Sequence, residues 1–193
     1  MVTTNFHGGS SNVKDYTYLK IKGTNYVYAL YTTNSVTATN TYDHILDNSG
    51  GRYYVDSLSG NTIVTAPDVQ LVIGNGLSMS GKDTFIVAPG ANIKVYSAGT
   101  SCTVGGNGVI NQNGLAQNFI LTCTPSVTSF TFNGNGEFIG VLVAPDAHVT
   151  MNGGGKADND FMGALIADSI TMNGHFSFHY DEALGSLNTT NAC

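Results

Sequence analysis

Apolar and polar residues alternate along this chain in short runs, and glycine, asparagine or proline closes nearly every run. Alternation with a period of two is the mark of a half-buried strand. One five-residue pattern recurs as Leu77-Ser-Met-Ser-Gly81, Cys102-Thr-Val-Gly-Gly106, Phe130-Thr-Phe-Asn-Gly134, Val149-Thr-Met-Asn-Gly153 and Ile170-Thr-Met-Asn-Gly174. Its first three positions predict a strand. Its Asn-Gly or Gly-Gly end supplies the positive φ of a tight turn. The copies start 25, 28, 19 and 21 residues apart.

Two further patterns surround it. Val87-Ala-Pro-Gly-Ala-Asn-Ile-Lys-Val95 resembles Val143-Ala-Pro-Asp-Ala-His-Val-Thr-Met151, with looser copies at Thr65-Ala-Pro-Asp-Val69 and Cys123-Thr-Pro-Ser-Val127. All four prolines thus fall just before a strand, where the missing N–H lies outside the ladder. Phe138-Ile-Gly-Val-Leu-Val-Ala144 matches Phe161-Met-Gly-Ala-Leu-Ile-Ala167, and both are apolar almost throughout, as strands packed inside a solenoid are. A rung of about 19–28 residues follows: a Phe-led strand, an Ala-Pro corner, a second strand and an Asn-Gly corner. That period predicts an all-β chain folded as a parallel β-helix rather than a sandwich.

The ends break the pattern. Residues 14–31 alternate and hold Tyr16, Tyr18, Tyr26, Tyr28 and Tyr31, which reads as a Tyr-rich strand cap over the first rung. Residues 42–49 fit one helical turn or a loop. Asp181-Glu-Ala-Leu-Gly185 reads as a short helical cap with its acids at the start. The expected division is 1–50 as N-terminal cap or first rungs, 51–185 as solenoid and 186–193 as tail.

Composition narrows the function. Only 10% of the 193 residues are charged, with seven basic and thirteen acidic, for a net charge of −6. One arginine and six lysines do not make the basic patch of a nucleic-acid binder. An apolar content of 41% with low charge excludes disorder, and no apolar run reaches the roughly 18 residues of a membrane span. Residues 1–7 lack the basic-then-apolar stretch of a signal peptide. A surface of Thr, Asn, Ser and Tyr nevertheless reads as exported, with any export signal upstream.

Several segments carry a family resemblance. They are Gly134-Asn-Gly-Glu-Phe-Ile-Gly-Val-Leu-Val-Ala-Pro-Asp-Ala147, Phe161-Met-Gly-Ala-Leu-Ile-Ala-Asp-Ser-Ile-Thr-Met-Asn-Gly174 and the closing Phe178-His-Tyr-Asp-Glu-Ala-Leu184. Tyr53-Tyr-Val-Asp-Ser-Leu58 and Gly105-Gly-Asn-Gly-Val-Ile-Asn111 belong with them. Over roughly residues 50–185 the chain resembles an uncharacterised β-solenoid domain, typically the C-terminal part of bacterial pilin-like or pilus-assembly proteins. The resemblance implies a right-handed β-helix and a surface-displayed location. It implies no catalytic residues.

Candidate chemistry is sparse. His175, His179, Asp181 and Glu182 crowd into eight residues and offer imidazole and carboxylate to a transition metal, or simply a structural cap. Asp158 and Asp160, with Asp146 and Asp168, offer oxygen to calcium, or are solvated turn acids. Stacked rungs would align Asp146 with Asp168 as a glycosidase-like carboxylate pair. The five tyrosines offer a flat surface for sugars, or pack over the first rung. A threonine once per rung resembles an ice-binding face, but the irregular spacing predicts no regular two-dimensional array. Cys102 and Cys123 are expected either to pair as a disulfide or to remain buried thiols, with Cys193 unpaired or intermolecular. No cofactor is required, a divalent metal aside. The expected function is a non-catalytic extracellular structural or adhesive module. Its expected partners are cell-surface or pilus components and polysaccharide. The alternatives are a carbohydrate-active hydrolase or lyase and an end-to-end filament.

Overall fold

A computed structural model describes residues 15–21, 24–30, 41–134, 136–153, 161–174 and 177–186. Tyr31, Asp158, Asp160, His175 and Cys193 lie outside them. Two strands, β1 (Asp15–Ile21) and β2 (Thr24–Leu30), pair as an antiparallel hairpin. Tyr16, Tyr18, Tyr26 and Tyr28 fall on these strands, of which the backbone alone is described.

The remaining strands run β3 (His44–Leu46), β4 (Arg52–Val55), β5 (Thr62–Val64), β6 (Val69–Ile73), β7 (Phe85–Val87) and β8 (Ile93–Ser97). They continue as β9 (Ser101–Val104), β10 (Val109–Asn111), β11 (Phe119–Cys123), β12 (Ser129–Gly134), β13 (Phe138–Gly153), β14 (Phe161–Asn173) and β15 (Phe178–Tyr180). Every pairing among these strands is parallel, so the chain coils as a β-solenoid. Residues 42–49, expected as a turn or loop, instead contain strand β3, which pairs with β5. The solenoid therefore begins before residue 50.

Three ladders form its sides. The first stacks β3, β5, β7, β10, the start of β13, the start of β14 and β15. The second stacks β4, β6, β8, β11 and the middles of β13 and β14. The third stacks β9, β12 and the ends of β13 and β14, after bridges at Leu58–Leu77 and Ser78–Thr103.

Side-chain alternation turns these ladders into a core. Tyr53, Leu71, Val95, Leu121 and Leu142 stack inward on the second side, each almost fully buried. Phe85, Phe119 and Phe138 meet edge-to-face, and Phe138 stacks on Phe161 at 4.7 Å. Burying each such side chain stabilises the fold by about 1.5–3 kcal/mol. Gly163 sits where the first side turns into the second; a Cβ there would strike the carbonyl oxygen of Gly140.

The five Gly-ended repeats all fall on the third side, in register, despite their uneven spacing. The prolines do not share one place. Pro67 and Pro89 occupy the corner from the first side to the second, whereas Pro125 and Pro145 occupy the next corner, from the second to the third. The two Val-Ala-Pro segments are thus one side out of phase. Both corners ask for the same local chemistry, a rigid φ outside the ladder, and sequence alone does not distinguish them. At the first of these corners Asp68 and Gly90 are left-handed, with φ of 58° and 79°. Their backbone N–H groups donate to Asn92 and Asn113 of the following rungs.

Among the described residues, no helix is long and apolar enough to cross a membrane. Among the described residues, helix is confined to two 3-10 turns, Ala116–Asn118 and Glu182–Ser186. The expected C-terminal helical cap is thus a single short turn.

Candidate functional site: a hydroxyl and amide ladder

The third side presents three polar columns outward. Thr103, Thr131, Thr150 and Thr171 form one, headed by Ser78. Ser101, Ser129, His148 and Ser169 form a second, and Asn133, Asn152 and Asn173 a third. Their inward neighbours Cys102, Val104, Phe130, Phe132, Val149 and Met151 are buried, so the alternation itself aims these polar groups at solvent. Strand spacing sets a repeat of about 4.8 Å along the columns, and two-residue steps set about 7 Å across them. This is the regular array that the sequence spacing argued against. The corners absorb the insertions, so steps of 19 and 28 residues both return to the same column.

Hydrogen bonds fix the array. The Asn173 amide donates to Asn152 at 2.8 Å, and Asn152 donates to Asn133 at 2.5 Å. His148 Nδ1 lies 2.8 Å from Ser169 Oγ, and its Nε2 lies 3.3 Å from Thr171 Oγ1. Ser169 Oγ donates to Asp168 Oδ2 at 3.3 Å. The serine therefore stands between the imidazole and the carboxylate. A triad needs the carboxylate on the imidazole and the serine at its far nitrogen, so this order does not activate a nucleophile. Among the described residues, no lysine, arginine or glutamate lies on the strands of this side; His148 stands on it, and Asp146 and Asp168 lie at the corner that leads into it. Sequence reading missed His148, because its partners Ser169 and Thr171 are neighbours only across the ladder.

The other candidates are dispersed. Asp181 is a capping residue: its Oδ2 accepts from the Ala116 N–H at 2.9 Å, and its Oδ1 from Ala183 N–H at 3.0 Å. His179 stands exposed on β15, beside Met162 in the ladder. Among the described residues, no three His, Cys, Asp or Glu side chains come close enough to hold a metal. Asp146 and Asp168 do share a corner, but the register shifts there: β13 has three residues between Ala144 and His148 where β14 has one. The expected stacked carboxylate pair is therefore not built by the ladder.

Cys102 and Cys123 are buried free thiols, not a disulfide. Cys102 Sγ is 3.1 Å from Ser97 Oγ, and Ser97 pairs with Cys123 in the second ladder. Hydrogen bonds from Cys123, then from Ser97 and the backbone at Leu77, pull Cys102 below the ordinary thiol range against the effect of burial. The same thiol–thiol bond, together with burial, pushes Cys123 up. The pair is satisfied as two thiols in the core.

A domain of unknown function, DUF7305, matches residues 24–187. The chain belongs to this family. Its match starts on β2, runs through every strand of the solenoid and ends just past the Glu182–Ser186 turn. No curated protein and no solved structure matches the chain.

Proposed function

We propose that this DUF7305 chain is a non-catalytic extracellular structural module that presents the ladder of its third side to a neutral polysaccharide at a bacterial cell surface, as part of a pilus-associated protein. The observation that carries the reading is the in-register set of Thr, Ser and Asn columns on a side almost without charge. A polymer of repeating hydroxyls is matched by donors and acceptors that repeat in fixed order, and a neutral side neither repels nor selects by charge. The pilus association rests on the family resemblance of residues 50–185.

A panel of immobilised neutral and acidic glycans tests this. The reading expects retention on neutral glycans, and loss of it in the double variant Thr131→Val, Thr150→Val, which leaves shape and burial nearly unchanged. Retention only on acidic glycans, or equal retention of the variant, counts against it. The competing reading is a carbohydrate-active hydrolase or lyase, for which His148, held by Ser169 and Thr171, is the exposed imidazole of this side. Release of reducing ends from the same panel, abolished by His148→Ala, would favour that reading instead.

A further inference from the structure

We propose that the threonine and asparagine columns of the third side form an ice-binding face, with the surface of an ice crystal as their ligand. The inference goes beyond the glycan reading and does not depend on it.

Three successive rungs carry the same outward pair: Thr131 with Asn133, Thr150 with Asn152 and Thr171 with Asn173. Thr103 extends the threonine column by one rung, and Ser78 heads it. No register shift interrupts the pairing of β9 with β12, of β12 with β13, or of residues 148–152 with 169–173. Neighbouring groups therefore stand about 4.8 Å apart along the columns and about 7 Å apart across them. Water oxygens on a prism face of hexagonal ice repeat at distances close to both. Among the described residues, the other two sides lack such a face. The first presents one outward residue per rung, and the run is Ile45, Ile63, Ile86, Ile110 and Ile139. The second presents Arg52, Gln70, Lys94, Ile120 and Val141 in one column, with no repeated chemistry.

Ice as the ligand makes spacing matter more than any single contact. A hydroxyl that bonds to ice gives up a bond to liquid water, so each contact contributes little alone. Telling solid water from liquid water then needs many groups held together at fixed positions. Two features hold them here. Threonine is stiff at χ1. The asparagine amides are tied to one another, from Asn173 through Asn152 to Asn133. Thr103, Thr131 and Thr150 are half-buried in the sheet surface, which limits their freedom further. Neither column holds a charged residue that would keep its own shell of liquid water. His148 stands in the serine column beside them and reaches Thr171, in the last rung.

Ice-affinity partitioning of the full chain tests the proposal. A dilute solution is frozen slowly onto a cold finger, and the chain in the ice is compared with that left in the liquid. The expected result is enrichment in the ice, with faceted crystals under a freezing-point microscope. Thr150→Tyr, at the centre of the array, should lower the incorporated fraction at least about fivefold, the weight of one lost hydrogen bond. Thr171→Tyr should lower it less. That residue is exposed and, among the described residues, has a paired strand on one side only, so its variant keeps the test valid if Thr150→Tyr fails to fold. Val141→Tyr, on the outward second side, should leave incorporation unchanged and serves as the control. Circular dichroism checks that each variant is folded. Glycan retention is read above freezing on a separate panel, so either reading can fail alone. Exclusion of the unmodified chain from ice, incorporation unmoved by a folded threonine variant, or an equal loss in Val141→Tyr overturns the proposal.

Discussion

β13 and β14 are neighbouring strands of nearly the same sequence, yet they live in different surroundings. Phe138 and Phe161, Gly140 and Gly163, Leu142 and Leu165, Thr150 and Thr171, Asn152 and Asn173 pair one to one. β13 has a strand on both edges along most of its length, and its inward residues are buried. β14 has one, and its second half is exposed. Residue identity along the solenoid therefore reports the rung's pattern and not its burial. The same side chain should be worth several times more in β13 than in β14.

The largest contrast is at the ring column. Phe138→Ala should cost about 3–5 kcal/mol, and Phe178→Ala at the exposed end about 1 kcal/mol or less, by chemical denaturation. Equal costs would erase the distinction between middle and end. On the second side, Leu142→Ala should cost about 2–5 kcal/mol and Leu165→Ala less than half as much.

The opposite end provides a pH test. Burial first, then the charge of Asp56 and a hydrogen bond to it, raise the Tyr54 hydroxyl from 10.0 to about 12. The folded state thus favours the neutral phenol. Its contribution, on the order of 2 kcal/mol, is whole below pH 10 and lost as pH rises through about 12. Melting temperature should fall across that window, and Tyr54→Phe should flatten the fall. An unchanged slope in the variant would place the titration elsewhere.

Smaller effects sharpen the picture at the caps. Asp181→Ala removes the acceptor shared by Ala116 and Ala183 and should cost about 1 kcal/mol, mostly as faster exchange at the C-terminal end. Asp68→Gly relieves a left-handed aspartate and should be neutral or stabilising by about 0.5 kcal/mol, provided that Asn92 still accepts its N–H. A clear loss there would mean that the Asp68 side chain holds the corner.

The solenoid was legible because its corners repeat. Asn-Gly ends and Phe-led apolar runs are local devices, and each recurs wherever the chain meets the same side. What was hidden is relational. Pro89 and Pro145 look alike in sequence but turn different corners, since the chemistry of a turn carries no label for its side. The threonine column looked irregular because residue counts include the corners, which bulge without disturbing the ladder. His148, Ser169 and Thr171 come together only through the pairing of β13 with β14. The Cys102–Cys123 spacing suited a disulfide equally well, and the hydroxyl of Ser97, from a third strand, completes the thiol pair.

Hydrogen exchange of β13 against β14 in dilute protein tests the central contrast most directly. Residues 148–152 of β13 lie between two strands, and their amides should be protected close to the global unfolding limit. Residues 169–173 of β14, with β13 on one side only among the described residues, should exchange markedly faster. Equal protection of both segments would contradict an open C-terminal rung.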